Sequence, residues 1–385
     1  MKIAIVDITG RTASKYDVSL CESIAKQLCD GEVRFFTPGF DYSPEGYKLI
    51  NLINLVPSSL SSSSNLLKRL LRFFETTLNY FYLIILLVFY RPSVIHFQWL
   101  PFMEFTGLEL LFVPIIRKLN PKALFFLTVH NIYPHDMDDK NRPSFKRRMM
   151  KIDKYITGYF VHLYCIKKEL AKDFGINDNR IFVTYHGIFD THRSISENKG
   201  NHNEKLCVIL YGYQSYYKGT DLLIEAIEKL DDSYRERLEC TIIGRTELSL
   251  YEQYAEKAQK LGIHWINRYV SDDELYDAIE HSDLILLPYR EISQSGVLLL
   301  ALSYQKPIIT SDLDSFKETL SGYPEECFFK NGSTDALALL LKKILNNQIE
   351  KHNLISVVNS LKEKYSWKET AKSTINAYKY LTNKY

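Results

Sequence analysis

With 385 residues, 46% hydrophobic and 24% charged, the chain is too long for one hydrophobic core and too apolar for disorder, so two domains are expected. A formal charge of +2 excludes the concentrated basic face that nucleic acid demands. The cysteines, Cys21, Cys29, Cys165, Cys207, Cys240 and Cys327, lie scattered without CxxC or zinc spacing, which implies a reducing compartment and no metal site.

The first segment, Met1-Lys2-Ile3-Ala4-Ile5-Val6-Asp7, lacks the apolar stretch of a signal peptide and reads as a buried strand. After it, short Ile/Val/Phe runs alternate with amphipathic stretches of helix length, the pattern of parallel strands with crossover helices. Strands are expected near 2–6, 32–36, 93–97, 123–129, 157–162 and 179–184, and helices near 14–29, 65–90, 104–118, 144–154 and 166–173. The longest uninterrupted apolar run, 80–90, falls short of the roughly 20 residues that span a bilayer, so no transmembrane span is expected. Residues 191–205 are polar apart from Ile195 and read as a linker. The alternation restarts at 206–212, with strands near 239–243, 263–266, 283–288 and 307–310. Helices are expected near 220–230, 250–261, 272–280, 296–303, 313–320, 334–346 and 350–364. The fold class is therefore α/β, two doubly wound units facing a cleft, with ligands at the carboxyl ends of the strands.

Four strand ends carry candidate chemistry. Tyr211-Gly212-Tyr213-Gln214-Ser215-Tyr216-Tyr217-Lys218-Gly219 leads from a strand to a helix start. Backbone donors, the positive helix end and the Lys218 charge would there face a phosphate. Leu287-Pro288-Tyr289-Arg290-Glu291-Ile292-Ser293-Gln294-Ser295-Gly296-Val297 offers a second anion site, where Ser295 and Gly296 let a pyrophosphate approach bare amides; an ordinary serine cap is the alternative. In the first half, Thr128-Val129-His130-Asn131 places an imidazole and an amide at a strand end, where His130 would bond a sugar hydroxyl or donate to a developing charge. His96, Gln98 and Trp99, after another strand, suit an acceptor sugar. Two DxD triplets, Asp136-Met137-Asp138 and Asp312-Leu313-Asp314, have the spacing of a metal-diphosphate clamp but read as chance matches.

In this order the motifs resemble the GT-B glycosyltransferases, specifically the large retaining family that builds bacterial surface polysaccharides. The carriers are HNxxPH at His130, GxxxxxKG ending at Gly219, PYxxxSQSGVLLLAL from Pro288, and the strand at Lys306-Pro307-Ile308-Ile309-Thr310. The resemblance implies domains at 1–190 and 206–365 joined by 191–205, and a helix at 366–385 that crosses back to the first domain. It implies a UDP- or GDP-sugar donor as substrate, no cofactor and no metal, and transfer to a glycan or lipid-linked sugar. Lys218 and the Gly296 and Val297 amides would bind the donor diphosphate, with Ser295 capping that helix. His130 and Glu291 would serve the transferred sugar, and Arg268 and Tyr269 the base. Asn131 joins the acceptor side.

Two departures stand out. The arginine common before the lysine is replaced by Tyr213, Gln214 and Ser215, with Arg245 as a substitute; and eight residues after Glu291 stands Leu299, where the family has a ribose-binding glutamate. An epimerase of the same fold and a non-catalytic sugar-binding subunit are the alternative functions. Lys68, Arg69 and Arg72 beside Phe73 and Phe74 suggest a peripheral contact of a cytoplasmic protein with the inner face of a membrane.

Overall fold

A computed structural model describes residues 1–10, 14–39, 44–55, 66–134, 137–189, 205–349 and 351–384. In chain order the elements are β1 (Lys2–Val6), α1 (Ser14–Gln27), β2 (Glu32–Pro38), β3 (Lys48–Leu52), α2 (Leu66–Tyr90), β4 (Val94–Phe97), α3 (Glu109–Leu119), β5 (Leu124–Thr128), α4 (Arg142–Asp153), β6 (Gly158–Val161), α5 (Tyr164–Phe174) and β7 (Ile181–Val183). The alternation resumes with β8 (Leu206–Tyr211), α6 (Thr220–Glu228), α7 (Asp232–Arg235), β9 (Leu238–Ile243), α8 (Leu248–Lys260), β10 (His264–Ile266), α9 (Asp272–His281), β11 (Leu284–Leu287), α10 (Gly296–Ser303), β12 (Ile308–Ser311), α11 (Asp314–Thr319), β13 (Phe328–Phe329), α12 (Thr334–Leu345), α13 (Lys351–Lys364) and α14 (Trp367–Lys384). The sheets run β3-β2-β1-β4-β5-β6-β7 and β10-β9-β8-β11-β12-β13, and the named strand pairs are parallel.

The chain divides into two compact units, Met1–Gly187 with Ser366–Tyr385, and Ile188–Tyr365. Apart from Lys205, the expected linker lies outside the described residues. Two edge strands escaped the sequence reading. In β3, Lys48 and Asn51 are exposed and only Leu52 is buried, so the strand lacks an apolar run; β13 has only two residues.

In the first unit β1, β4, β5 and β6 are almost wholly buried, because helices cover both faces of the sheet. α1 and α14 pack together, while α2, α3, α4 and α5 form a successive row. The last helix is built into this unit: Thr370 Oγ1 donates to the Tyr185 carbonyl at 2.6 Å, and Gln27 Nε2 to that of Lys368 at 2.8 Å. The Trp367 ring lies so close to Gly187 that a Cβ there would be 2.3 Å from it, a space only glycine leaves.

α2 bears on the expectation of no transmembrane span without overturning it. Its segment Arg69–Tyr90 is long and apolar enough to cross a membrane, although Glu75, Thr76, Thr77 and Asn79 interrupt the apolar run that had been too short. Those polar residues serve the fold. Asn79 exchanges two hydrogen bonds with the Ile53 backbone, at 2.8 and 3.0 Å, and Glu75 accepts from the Leu55 amide at 2.7 Å. Tyr80, Leu83, Leu87 and Tyr90 fill the core.

Beneath α2, the buried Glu109 carboxylate accepts from the Phe102 amide at 2.6 Å and the Tyr80 hydroxyl at 3.2 Å. Burial nevertheless pushes its carboxyl up to about 8. The folded state then holds a proton that the unfolded chain releases at an ordinary glutamate pKa, about 4.3, so stability falls as pH rises between these values. Glu109→Gln should therefore gain stability over the native chain as pH rises from about 5 to 8. Calorimetric unfolding across that range reads it; a gap that does not change with pH would show that the carboxyl is already ionised in the fold.

Candidate functional site

In the second unit the carboxyl ends of β8, β9 and β11 converge on one edge of the sheet, and the turns leaving them touch. Gly212 follows β8 with φ of 99°, and a Cβ there would sit 2.9 Å from Lys218 Nζ and 3.3 Å from Val297 Cγ2. The ammonium of Lys218 and the first turn of α10 therefore share one small space, as expected of an anion site. Gly219, with φ of 69°, lies against the turn after β11: a Cβ would come within 1.9 Å of the Pro288 carbonyl oxygen. Only glycine combines that backbone angle with that approach.

α10 begins as the sequence predicted. Ser295 Oγ accepts from the Leu298 amide at 3.1 Å, and the Leu299 amide donates to the Ser295 carbonyl at 3.1 Å. The amides of Gly296 and Val297 precede the first intrahelical bonds, and space around Gly296 is open, with nothing within 4 Å of where its Cβ would be. An oxyanion can reach both.

Lys218 is buried, and among the described residues no carboxylate pairs with it; the Tyr289 ring lies 5.2 Å from its Nζ. Burial alone draws its pKa down to about 8. An unpaired buried ammonium is costly, and an arriving anion removes that cost.

The turn is held by residues that the sequence reading did not assign. Arg290 donates from Nη1 and Nη2 to the two oxygens of Asp221 at 2.8 and 2.6 Å, and from Nη1 to the Tyr216 carbonyl at 2.6 Å. This two-pronged bond ties the turn after β11 to the start of α6. Arg290 stood inside the quoted motif, and its signal was the acid at Asp221, which only the fold brings opposite. Gln214 is fully buried: Nε2 donates to the Gly212 carbonyl at 2.7 Å, and Oε1 accepts from Thr220 Oγ1 at 2.7 Å. It braces the turn and faces no ligand.

The remaining residues expected in this half are spread around the edge. Arg245 is exposed after β9, and its carbonyl accepts from the Gln214 amide at 2.9 Å. Arg268 pairs through both terminal nitrogens with Glu274, and Tyr269 is exposed beside it. Glu291 is exposed next to Arg290, and Leu299 is buried in the core. Asp312 accepts from the Asn331 amide at 2.8 Å and Asp138 pairs with Lys140 at 3.0 Å, while Asp136 lies outside the described residues. Among the described residues no group of three His, Cys, Asp or Glu is placed to hold a metal.

In the first unit, strand ends gather four histidines. His162 Nδ1 lies 2.9 Å from the Thr184 carbonyl, which can only accept, so Nδ1 carries the proton. Burial draws the His162 pKa down to about 4, so the ring is neutral and its bare Nε2 accepts from His130 Nδ1 at 3.1 Å. His130 is left with a bare Nε2, buried without a partner among the described residues. Burial first, then the neighbouring imidazoles, hold His130 well below the usual histidine range. A bare Nε2 on a neutral ring can accept a hydrogen bond and has none to donate. Tyr16 packs edge-on against the His130 ring, and His186 and Trp367 pack in turn against Tyr16. His162 and His186 follow strand ends as His130 does, so the rule that found one was able to find all.

His96 and Gln98 require correction as acceptor contacts. Both are buried; His96 has Nδ1 2.6 Å from the Tyr378 hydroxyl and Nε2 2.7 Å from Thr128 Oγ1, which leaves no nitrogen for a ligand. Alternation along a strand explains this, since every second side chain points into a covered face. Trp99 and Asn131 instead line a small hollow with Leu100, Met103 and His130.

Two such parallel α/β units, each with its loop chemistry at the strand ends, define the GT-B architecture of glycosyltransferases. Anabaena HepE, solved in complex with UDP, shares the fold at a TM-score of 0.67 and 11% identity, over 98% of this chain and 99% of that one. Residues 192–358, less than half of the chain, match the family model Glycosyl transferases group 1. An uncharacterized glycosyltransferase of Methanocaldococcus jannaschii is 22% identical over 228 residues, 56% of this chain and 57% of that protein. The matched stretch thus spans little more than half of that curated relative. The GDP-mannose:glycolipid 4-beta-D-mannosyltransferase of Xanthomonas campestris is 30% identical over 101 residues, 26% of this chain and 28% of that protein.

Losing the Lys218 charge should weaken nucleotide-sugar binding or turnover about 10- to 100-fold, since a charge-assisted bond contributes roughly 1.5–3 kcal/mol. Titration calorimetry with the native chain and Lys218→Met checks both size and pH dependence. The native affinity should fall as pH rises through about 8 while the variant stays flat; parallel profiles would place the anion elsewhere.

Proposed function

We propose that this chain transfers a hexose from a UDP- or GDP-sugar to a hydroxyl of a polysaccharide or lipid-linked oligosaccharide, with retention of configuration. One observation carries the reading: a buried lysine without a carboxylate partner, packed against a glycine turn and the open start of a helix. In the reaction the bond from the sugar C1 to the diphosphate breaks and its electron pair stays with the diphosphate. The acceptor oxygen bonds to C1 and passes its proton to an oxygen of the departing diphosphate. Lys218 and the Gly296 and Val297 amides meet charge that grows on the leaving oxygens, so they bind the transition state more tightly than the donor.

In this proposal Arg245 adds a second cation to the diphosphate, the exposed Tyr269 ring with Arg268 receives the base, and Glu291 contacts the transferred sugar. His130 accepts from one of that sugar's hydroxyls through Nε2, while Trp99 and Asn131 meet the acceptor. The donor is a substrate and no resident cofactor is invoked. Both nucleotides are considered because HepE was solved with UDP and the Xanthomonas relative is named for GDP-mannose. That relative also acts on a glycolipid, which supports a lipid-linked acceptor met at the cytoplasmic face of a membrane.

A panel of UDP- and GDP-sugars with lipid-linked and free glycan acceptors tests the reading. The expected result is acceptor-dependent release of nucleoside diphosphate that persists in EDTA, because Lys218 and the helix start supply the positive charge. NMR of the new linkage should show the donor's anomeric configuration. Turnover of donor without acceptor would instead indicate an epimerase, and donor binding without any turnover a non-catalytic subunit.

A further inference from the structure

α2 and α3 lie side by side on one face of the first sheet, joined by the stacked Tyr80 and Phe112 rings, 4.7 Å apart, and by Phe81 against Phe112 at 5.3 Å. Their inward residues fill the core, yet their outward residues are also apolar. Phe74, Leu78, Phe81, Ile85 and Phe89 follow the three- and four-residue rhythm of one helix face; Phe81 and Ile85 are each 54% exposed and Phe89 82%. Leu111, Ile115 and Leu119 extend the exposed surface onto α3. From Phe74 to Phe89 the stripe runs about 22 Å at 1.5 Å per residue. Such a face on a water-soluble surface marks a docking site.

Charge identifies what docks. The only acids on either helix, Glu75 and Glu109, are buried, whereas Arg69, Arg91, Lys118 and Lys122 stand exposed around the stripe. A rim of one sign suits an anionic bilayer surface. It disfavours a second copy, since any two-fold pairing of this face sets cation against cation with no acid to match.

Where α2 begins, the face meets a cavity of 740 Å³ whose walls include Thr9, Arg69, Arg72, Phe73, Phe102 and Phe105. Arg72 turns inward here, and its Nε and Nη2 are buried without a hydrogen-bond partner among the described residues. Of the acids at the cavity, Glu75 already accepts from the Leu55 amide, and Glu104 lies beside Phe105. A guanidinium left with unmet donors among aromatic walls calls for an anion attached to an apolar body.

We propose that the outward face of α2 and α3 rests in a lipid bilayer and that Arg72 holds the phosphate of a membrane lipid in the adjoining cavity. Identifying that lipid with the sugar acceptor, so that the acceptor is a glycan joined through phosphate to its lipid, rests on the glycosyltransferase reading above. The docking itself does not. The sequence pointed to Lys68, Arg69 and Arg72 as a headgroup-facing cluster; in the structure Arg69 and Arg72 both line the cavity, Arg69 exposed at its edge and Arg72 with nitrogens buried inside, while the Lys68 side chain lies outside the described residues.

Co-sedimentation of the full chain with vesicles tests this, using phosphatidylcholine alone and phosphatidylcholine mixed with phosphatidylglycerol or with phosphatidate at matched surface charge. Binding should be tightest to phosphatidate, whose monoester phosphate best fits the guanidinium. Arg72→Gln and Arg72→Lys should each erase that preference, about tenfold, and leave binding to phosphatidylglycerol. Phe81→Ser with Phe89→Ser should abolish binding to every vesicle while nucleotide-sugar affinity at Lys218 stays unchanged. No binding at low salt, a phosphatidate preference that survives both Arg72 variants, or a stable dimer that buries the face would overturn the proposal. Vesicle binding without sugar transfer from any donor would instead remove the catalytic reading and leave the docking surface standing.

Discussion

Everything chemical in this chain follows from one constraint: strands in a parallel sheet all point the same way, so each must be followed by a crossover and all carboxyl ends line one edge. Residues far apart in sequence then meet there without long loops. In the second unit that edge collects Gly212, Gly244, Lys218, Arg290 and the start of α10. The approach is tight enough that a Cβ on Gly244 would come 2.1 Å from the Gly212 carbonyl oxygen. In the first unit the same constraint collects His130, His162 and His186 around Tyr16.

Electrostatics then divides the two edges. The second unit keeps a buried cation unpaired and spends its strongest ion pair, Arg290 with Asp221, on holding the turn around that cation. A site that binds an anion is thereby less stable when empty than an apolar packing of the same volume would be. The first unit does the opposite. Its crowded imidazoles would repel one another if charged, and burial keeps them neutral, so a chain of hydrogen bonds ending on the Thr184 carbonyl decides which nitrogen of His130 is bare.

α2 carries apolar residues on both its inward and its outward face. Its polar residues do not face water: Asn79 and Glu75 close the backbone of the segment after β3, and Glu109 beneath it is held protonated by burial. The surface that would ordinarily carry charge is left to Phe74, Phe81 and Phe89. This inverts the usual amphipathic arrangement without disturbing the sheet packing, because the inward stripe of Tyr80, Leu83, Leu87 and Tyr90 is complete.

The sequence by itself determined the fold class, nearly all of the strands and helices, the Lys218 turn and the capped start of α10. These are local signals: apolar runs, glycine before a helix, serine at its cap. It missed β3 because an exposed edge strand has no apolar run, and it counted only 80–90 of α2 as apolar because an uninterrupted run treats buried polar residues as breaks. Which side chains face a ligand was decided only by tertiary structure. His96 and Trp99 are three residues apart on one strand end, yet His96 is locked between Tyr378 and Thr128 while Trp99 lines an open hollow. Tyr378 comes from the last helix, 282 residues away in the chain, and Asp221 meets Arg290 across 69. No local pattern encodes such pairings, since a hydrogen bond depends on distance in space and the sequence records only distance along the chain.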